Sequence, residues 1–179
     1  MFIKIQKFLG KVLLSTTAFL WAGCDNGSTD AKEKPFIDIE QEMAKLTSTD
    51  TTGLKGKCIP EHEYCEMTIW NSYYSAQAHA KSIAIEKINE QHKDEPNYWY
   101  KSNSCYRDIL ETLGNAPVYG VEECPTNLTP CEVEPGNSFY NGVRIDDAYI
   151  AELQRKEKNY YETLKNTLEE INQGMEKCN

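Results

Sequence analysis

Residues 146–178 read DDAYIAELQRKEKNYYETLKNTLEEINQGMEKC. Apolar side chains in this stretch recur at steps of three and four positions, the spacing that places them on one face of an α-helix. They are Tyr161, Leu164, Leu168, Ile171, Met175 and Cys178, and Ile150 and Leu153 extend the series towards the start. Asp146 and Asp147 suit the amino end, where the helix dipole favours negative charge. About 33 residues with a rise of 1.5 Å each predict a helix about 50 Å long.

A second long helix is predicted from Pro60 to about His92. Proline suits the first turn of a helix, and no helix breaker follows for three dozen residues. Its apolar face carries Ile69, Trp70, Tyr73, Ala76, Ala80, Ile83, Ala84 and Ile88. The small alanines allow another helix to approach closely. The two long helices are therefore expected to pack as an antiparallel or parallel pair, and a coiled-coil dimer is the alternative to this monomer.

Two shorter helices and a long loop complete the predicted fold. One short helix carries Phe36, Ile39, Met43 and Leu46 on one stripe, and the other runs from near Pro96 to Leu113. Residues 47–57 read as a linker or loop, and residues 114–145 form a loop that contains Pro, Gly and Cys, with a short strand or turn at 118–121. The expected fold class is mainly α, a disulfide-stapled helical bundle with two long helices and two shorter ones.

Six cysteines follow residue 24, and an even number in an exported chain predicts three disulfides with 15 possible pairings. They are Cys58, Cys65, Cys105, Cys124, Cys131 and Cys178. A metal site is the alternative, but no Cys-x-x-Cys occurs and His62, His79 and His92 form no ligand pair. We therefore expect no metal and no cofactor.

Helix geometry restricts the pairing. If the helices around Asp94 form a hairpin, Cys105 lies about 28 Å along the axis from Cys65, whereas a bridge needs Cα atoms about 5.5–6 Å apart. With an antiparallel final helix, Cys178 would bond to Cys58 or Cys65. Cys105 would then bond to Cys124 or Cys131, the remaining two cysteines would pair, and the local bridge between Cys124 and Cys131 would be excluded.

The first 23 residues have the pattern of an export signal. Lys4, Lys7 and Lys11 precede an apolar stretch of about ten residues, and small residues follow it at 22 and 23. Spanning a bilayer takes about 20 apolar residues. The segment is therefore predicted to be cleaved rather than to remain as an anchor helix.

The sequence Leu20-Trp21-Ala22-Gly23-Cys24 resembles the acylation site of bacterial lipoproteins. In that family Leu usually stands three places before the cysteine, a place that Trp21 occupies here. The resemblance implies lipid on the Cys24 sulfur, cleavage after Gly23 and attachment to the cell envelope facing the periplasm. Asp25 and Asn26 stand where enteric lipoproteins read a signal for the inner membrane. The expected organisation is a signal peptide at 1–23, a flexible tether at 24–34 and one helical periplasmic domain at 35–179.

Two alternatives to this anchor remain open. An ordinary secretory signal would leave Cys24 as a seventh candidate for a disulfide. The outer membrane is the alternative location for a lipidated product.

The charge of the chain restricts its partners. It has 19 basic and 28 acidic residues and a net charge of −9, and loss of the three signal lysines makes the product more acidic. Such a body is repelled by nucleic acid and by anionic headgroups. The expected partner is a basic protein, and the membrane is reached only through the lipid.

No familiar catalytic signature occurs in the chain. It lacks a phosphate-binding Gly-x-x-x-x-Gly-Lys, a Gly-x-Ser-x-Gly elbow and a His-Glu-x-x-His motif. Its carboxylate pairs have no spacing that would place two of them across a cleft, and solvated acids are expected in such an acidic chain. We therefore expect a protein that is not an enzyme.

Aromatic residues in the long loop indicate a binding surface. Tyr119, Phe139 and Tyr140 lie outside the helical pattern, and aromatic anchors on loops commonly carry binding energy. The predicted function is a lipid-anchored binding or inhibitory protein, such as an inhibitor of, or immunity protein against, an envelope-attacking enzyme or toxin. A structural or assembly accessory of an envelope complex is the alternative, and a cell-wall or lipid hydrolase is a third.

Overall fold

The computed structural model describes residues 35–94, 103–113, 124–133 and 141–178. In chain order these residues form α1 (Ile39–Ala44), β1 (Cys58–Pro60), α2 (Glu61–Ile69), α3 (Ser72–Gln91), α4 (Ser104–Thr112), β2 (Pro130–Glu132), β3 (Asn141–Arg144), α5 (Asp147–Met175) and a 3-10 helix (Glu176–Cys178). The predicted fold class is confirmed, since the described chain is mainly helical and carries three disulfides. A small sheet accompanies the helices.

The core lies between α3 and α5, which make the most extensive contact of any two elements. Asp146 caps α5 by accepting a hydrogen bond from the Tyr149 amide, as its position in the sequence predicted. The predicted apolar stripes are buried: α5 contributes Leu164, Leu168, Ile171 and Met175, and α3 contributes Ala76, Ala80, Ile83, Ala84 and Ile88. Three alanines on α3 are fully covered, so the two helices approach closely at this face.

The segment before α2 runs antiparallel along α5. The Asn172 side chain accepts a hydrogen bond from the Ile37 amide at 2.8 Å and donates to the Ile37 carbonyl at 2.9 Å. Further along, the Tyr161 hydroxyl donates to the Thr47 carbonyl. Residues 47–57, predicted as a linker or loop, contain no helix or strand, and polar side chains of α5 hold them in place.

Contacts with this segment show that α3 and α5 are parallel. Asn159 of α5 donates to Ser72 at the start of α3. Lys87, near the end of α3, lies 4.0 Å from Glu42 of α1, and α1 sits beside the later turns of α5 because Ile37 is bonded to Asn172. Both helices therefore point towards the same end of the molecule.

The predicted helix from Pro60 to His92 is interrupted, so that prediction was wrong in its continuity. Trp70 has an extended backbone with ψ 122°, and Asn71 starts α3 as its N-cap by accepting from the Tyr74 amide. The bend is stabilised by a distant side chain, Lys156 of α5, which donates to carbonyls at the end of α2. Periodicity within residues 60–92 could not reveal that contact.

The helix predicted from near Pro96 to Leu113 is confirmed over the residues that the structure describes. Its described part is α4, whose N-cap Asn103 accepts from the amides of Cys105 and Tyr106. Residues 95–102 lie outside the described part of the chain.

The sheet has the strand order β1-β3-β2, and both pairs are antiparallel. Ile59 pairs with Val143 in one ladder, and Cys131 pairs with Gly142 in the other. The sequence predicted no strand at these positions, because strands of three or four residues are too short to show alternation. The strand or turn predicted at 118–121 lies outside the described residues.

All six predicted cysteines are bonded, but two expected pairings were wrong: Cys178 does not bond to Cys58 or Cys65, and Cys105 does not bond to Cys124 or Cys131. The bridges are Cys58–Cys131, Cys65–Cys124 and Cys105–Cys178. The parallel arrangement of α3 and α5 carries Cys178 away from Cys58 and Cys65. The exclusion of a bridge between Cys124 and Cys131 is confirmed.

Candidate functional site

Two disulfides clamp the non-helical part of the chain at one end of the bundle. Cys131 of β2 bonds to Cys58 of β1 with Cα atoms 6.0 Å apart, and Cys124 bonds to Cys65 of α2 with Cα atoms 5.1 Å apart. The first bridge joins the two outer strands, β1 and β2, on either side of β3, and the second ties residue 124, ahead of β2, to α2. We call this region the sheet end: α2, the three strands and residues 124–129.

The residues predicted to bind a partner lie outside the described chain. Tyr119 belongs to residues 114–123, and Phe139 and Tyr140 belong to residues 134–140. The first segment starts after buried Leu113 and ends at disulfide-bonded Cys124. The second connects residue 133, just after β2, to the start of β3. Both segments are therefore attached at each end to fixed parts of the fold.

Gly142 allows the sheet to form beneath a disulfide. A Cβ atom at this position would lie 2.5 Å from Cys58 Sγ, 2.7 Å from Val133 Cγ2 and 2.9 Å from the Cys131 carbonyl oxygen. These distances are too short for any side chain. Glycine is therefore required where β3 passes the Cys58–Cys131 bridge.

Lys156 is a buried cation at the junction of α2 and α3. Its side chain is 8% exposed, and its Nζ donates to the carbonyl oxygens of Met67, Thr68 and Trp70. Three acceptors match the three hydrogens of an ammonium group. The carboxyl end of a helix carries partial negative charge, which favours a cation there. Lys156 therefore caps α2 from another helix.

An aromatic cluster, Trp70, Tyr160, Tyr161 and His79, lies beside this junction. The Trp70 and Tyr160 rings are 5.7 Å apart, and those of Tyr160 and Tyr161 are 5.8 Å apart in an edge-to-face arrangement. The Trp70 indole donates to the Ser75 hydroxyl at 2.6 Å. This geometry fixes Trp70 at the bend even though it belongs to neither helix.

Tyr73 and Tyr74 form a separate pair at the start of α3. Their rings meet edge to face at 5.3 Å, and Tyr73 is 46% exposed. The pattern placed Tyr73 on the apolar face of a continuous helix. In the first turn of α3 it is Ser72 that is buried in line with Ala76 and Ala80, and Tyr73 faces solvent instead.

The three histidines occupy different environments and do not converge. His62 is exposed on α2, and His92 follows the last turn of α3. His79 is half-buried, and its Nδ1 lies 2.5 Å from the Tyr160 hydroxyl.

Glu42 is a buried carboxylate on α1. Its side chain is 6% exposed, and its oxygens lie 2.6 Å from Lys45 Nζ and 4.0 Å from Lys87 Nζ. A buried charge is tolerated when it is paired. The pair with Lys87 links α1 to α3.

Two tyrosines on α5 have strongly raised pKa values. Burial, with a smaller effect from Tyr64 and Glu63, raises the pKa of Tyr149 to about 12. Burial and the adjacent Glu157 carboxylate raise the pKa of Tyr161 to about 12. Both phenols therefore stay protonated at neutral pH, and the Tyr161 hydroxyl donates to Thr47 and Glu157.

An open surface cavity of about 770 Å³ lies beside the last turns of α3. It is lined by Ser82, Ile85, Glu86, Asn89, Glu90 and Lys93. This cavity is far from the sheet end along α3. Across the described residues, no three His, Cys, Asp or Glu side chains are grouped so that they could hold a metal ion.

Comparison with known proteins assigns no family to this chain. No family model matches it, and no solved structure gives a significant match. Among the described helices, none is both long enough and apolar enough to cross a membrane.

Sequence reasoning missed Lys156 and Glu42. Lys156 stands three positions after Leu153 and four before Tyr160, so it falls on the apolar stripe of α5. A lysine at a stripe position is the available signal. The sequence could not identify its partners, because they lie more than 80 positions away.

Proposed function

We propose that this chain is a lipid-anchored periplasmic binding protein that inhibits or gives immunity against a basic, envelope-attacking enzyme or toxin. It acts as a monomer, without a cofactor and without catalysis. The sheet end and the two loop segments attached to it supply the contacts. Lipid on Cys24 holds the protein at the membrane, with Asp25 and Asn26 favouring the inner membrane.

The observation that carries this proposal is the clamping of the sheet end by Cys58–Cys131 and Cys65–Cys124. Loops on a fixed scaffold lose less conformational entropy on binding than free loops do. The bridges fix Cys124 and β2, which border the segments that contain Tyr119, Phe139 and Tyr140. This arrangement suits a surface that recognises a protein.

The charge of the sheet end supports a basic partner. Helix α2 contains Glu61, Glu63 and Glu66, all exposed, and has no lysine or arginine. Complementary charge accelerates association and makes it sensitive to salt. The net charge of −9 on the whole chain also attracts a basic partner, and it does so over longer distances.

The disulfides also support export. Disulfides form and persist in oxidising compartments such as the periplasm and are rare in the cytosol. All six cysteines of the domain are bonded in three bridges. This agrees with the export signal at residues 1–23 but does not by itself identify the lipid.

A charge-reversal experiment tests the binding surface. The purified protein is titrated into a lysozyme, a basic cell-wall hydrolase, and binding and residual activity are measured at low and high salt. We expect binding that weakens with salt. The triple variant Glu61→Lys, Glu63→Lys, Glu66→Lys should abolish it.

The matched control reverses three exposed acids on α5, with Glu162→Lys, Glu169→Lys and Glu170→Lys. It changes the net charge by the same amount, so it should weaken binding less if the sheet end is the contact. Equal weakening by both variants would contradict the proposed surface. Absence of binding to lysozymes, followed by crosslinking in unchallenged cells that captures a membrane complex, would favour the assembly accessory instead.

A separate experiment tests the anchor. Cells are fed radiolabelled palmitate, and the label should enter the wild-type product but not the Cys24→Ser variant. An unlabelled wild-type product would exclude lipidation and leave the binding surface as an independent question.

A further inference from the structure

A hydrogen bond between α3 and α5 involves a histidine, the side chain that can gain or lose a proton near neutral pH. His79 of α3 and Tyr160 of α5 approach to 2.5 Å between Nδ1 and the hydroxyl oxygen. Their rings are stacked, with centroids 6.2 Å apart. Tyr160 also lies 5.7 Å from the ring of Trp70. The half-buried imidazole therefore packs on the Tyr160 ring at the contact of α3 with α5.

Titratable groups face His79 from α1 and from α5. Glu42 from α1 is the nearby carboxylate, and it is paired with Lys45 and Lys87. From α5, the group that faces the imidazole is the Tyr160 phenol, which burial keeps protonated by raising its pKa. Burial lowers the pKa of His79, and the Glu42 carboxylate opposes this effect without cancelling it.

We propose that His79 and Tyr160 form a pH-sensitive contact that joins α3 to α5 when the imidazole is neutral and weakens when it takes up a proton. In the neutral form with its hydrogen on Nε2, His79 accepts the phenol hydrogen at Nδ1. Protonation places a hydrogen on Nδ1, so the phenol must turn to accept, and a positive charge enters an aromatic environment. This inference does not depend on the proposed partner or on the lipid.

The direction of the effect follows from proton linkage. An unperturbed histidine has a pKa of about 6.5. Because the folded protein holds the pKa of His79 below this value, the unfolded chain binds more protons as the pH falls. The stabilising contribution is complete above about pH 6.5 and is lost as the pH falls through the folded pKa. Acid therefore loosens the contact.

The test is a titration of the full-length protein from about pH 8 to about pH 5. Proton NMR follows the ring signals of the histidines, and the His79→Gln spectrum identifies the signal of His79. We expect that signal to titrate below pH 6.5. The matched control, His62→Gln, changes an exposed histidine and should leave the signal in place.

Urea unfolding over the same pH range provides the second measurement. For each unit by which folding lowers the pKa of His79, the folding equilibrium constant at low pH should fall about tenfold. This loss should be present in the wild type and in His62→Gln and absent in His79→Gln. Subtracting the pH dependence of stability measured for His79→Gln from that of the wild type removes the contribution of all other titrating groups.

Two results would overturn the proposal. One is a His79 signal that titrates at or above pH 6.5. The other is the same dependence of stability on pH in the wild type and in His79→Gln. If His79→Gln does not fold, Tyr160→Phe identifies the His79 signal instead, because removal of the hydroxyl shifts the ring resonance of its hydrogen-bonded neighbour. The pH at which that signal titrates in the wild type then decides the question.

Discussion

Lys156 is the residue that connects the bend in the chain to the long final helix. Its side chain is 8% exposed, and its ammonium group donates to the carbonyls of Met67, Thr68 and Trp70. Without it the carbonyls of Thr68 and Trp70 would lose this donor at a partly buried position, whereas the Met67 carbonyl would keep its bond from the Trp70 amide. The cost of unsatisfied buried acceptors is larger than the net gain of an ordinary hydrogen bond.

The variant Lys156→Met tests this capping role. Methionine keeps the length of the side chain but cannot donate, so we expect the free energy of unfolding to fall by about 1–3 kcal/mol, measured by urea denaturation. Lys158→Met is the matched control, because Lys158 is exposed and lies 3.7 Å from Glu162. Its effect should stay within about 0.5 kcal/mol. Equal losses for the two variants would contradict the capping role.

Gly142 provides a second prediction for a single residue. Gly142→Ala places a methyl group 2.5 Å from Cys58 Sγ, so the strand or the bridge must shift, and we expect a loss of about 1–3 kcal/mol in thermal or urea unfolding. Gly174→Ala is the control. Its Cβ would meet only the side chain of Ile109 at 3.0 Å, which can move, and alanine favours the helix. A loss from Gly142→Ala no greater than from Gly174→Ala would show that the bridge does not restrict the strand.

At the scale of elements, two disulfides with the same sequence separation constrain the fold differently. Cys58–Cys131 and Cys105–Cys178 each join residues 73 positions apart. Cys65–Cys124 lies inside the first of these loops, so it already closes most of that loop. Cys105–Cys178 ties α4 to the end of α5, and no other bridge shortens its loop.

We therefore expect removal of the two bridges to have unequal effects. In the loop-entropy model, the double variant Cys105→Ser, Cys178→Ser should lower the free energy of unfolding by about 4 kcal/mol. The double variant Cys58→Ser, Cys131→Ser should lower it by about 3 kcal/mol, because that bridge closes only a small additional ring. Urea unfolding of the two double variants measures both values. A larger loss from the Cys58 pair would contradict this account. Peptide mapping of the oxidised wild type should recover Cys105 bonded to Cys178.

At the scale of the whole molecule, raised pKa values of tyrosines connect the stability of the fold to alkaline pH. The Tyr149 ring packs against that of Tyr64 at a tilt, with centroids 4.6 Å apart, and joins α5 to α2. Tyr161 joins α5 to the segment before β1. Both pKa values lie at about 12 in the folded protein, whereas an unperturbed tyrosine titrates at about 10. The folded state therefore retains these protons when the unfolded chain has lost them.

We expect this contribution to stability to be complete below about pH 10 and to be lost as the pH rises towards 12. Ultraviolet absorbance of tyrosinate follows the titration, and urea unfolding over the same range follows the stability. Tyr149→Phe should reduce the alkaline loss. Tyr73→Phe, at an exposed residue, should leave it unchanged, and equal behaviour of the two variants would contradict the role of Tyr149.

The local features of this chain could be read from the sequence because each depends on neighbours a few positions apart. The apolar stripe of α5, the cap at Asp146 and the end of α4 near Leu113 follow from helical spacing and from local hydrogen bonds. The disulfides were predicted from the even number of cysteines together with the export signal expected at residues 1–23. The anchor at Cys24 and the binding role of Tyr119, Phe139 and Tyr140 are still predictions.

Only the tertiary structure decided the direction of α5, the bend at Trp70 and the pairing of the cysteines. An amphipathic stripe buries the same area whether its partner helix is parallel or antiparallel, so periodicity does not determine direction. Direction in turn decides which cysteines meet, and it placed Cys178 beside Cys105 rather than Cys65. The bend depends on Lys156, which lies 86 positions from Trp70, and a contact over that distance exists only once the chain has folded.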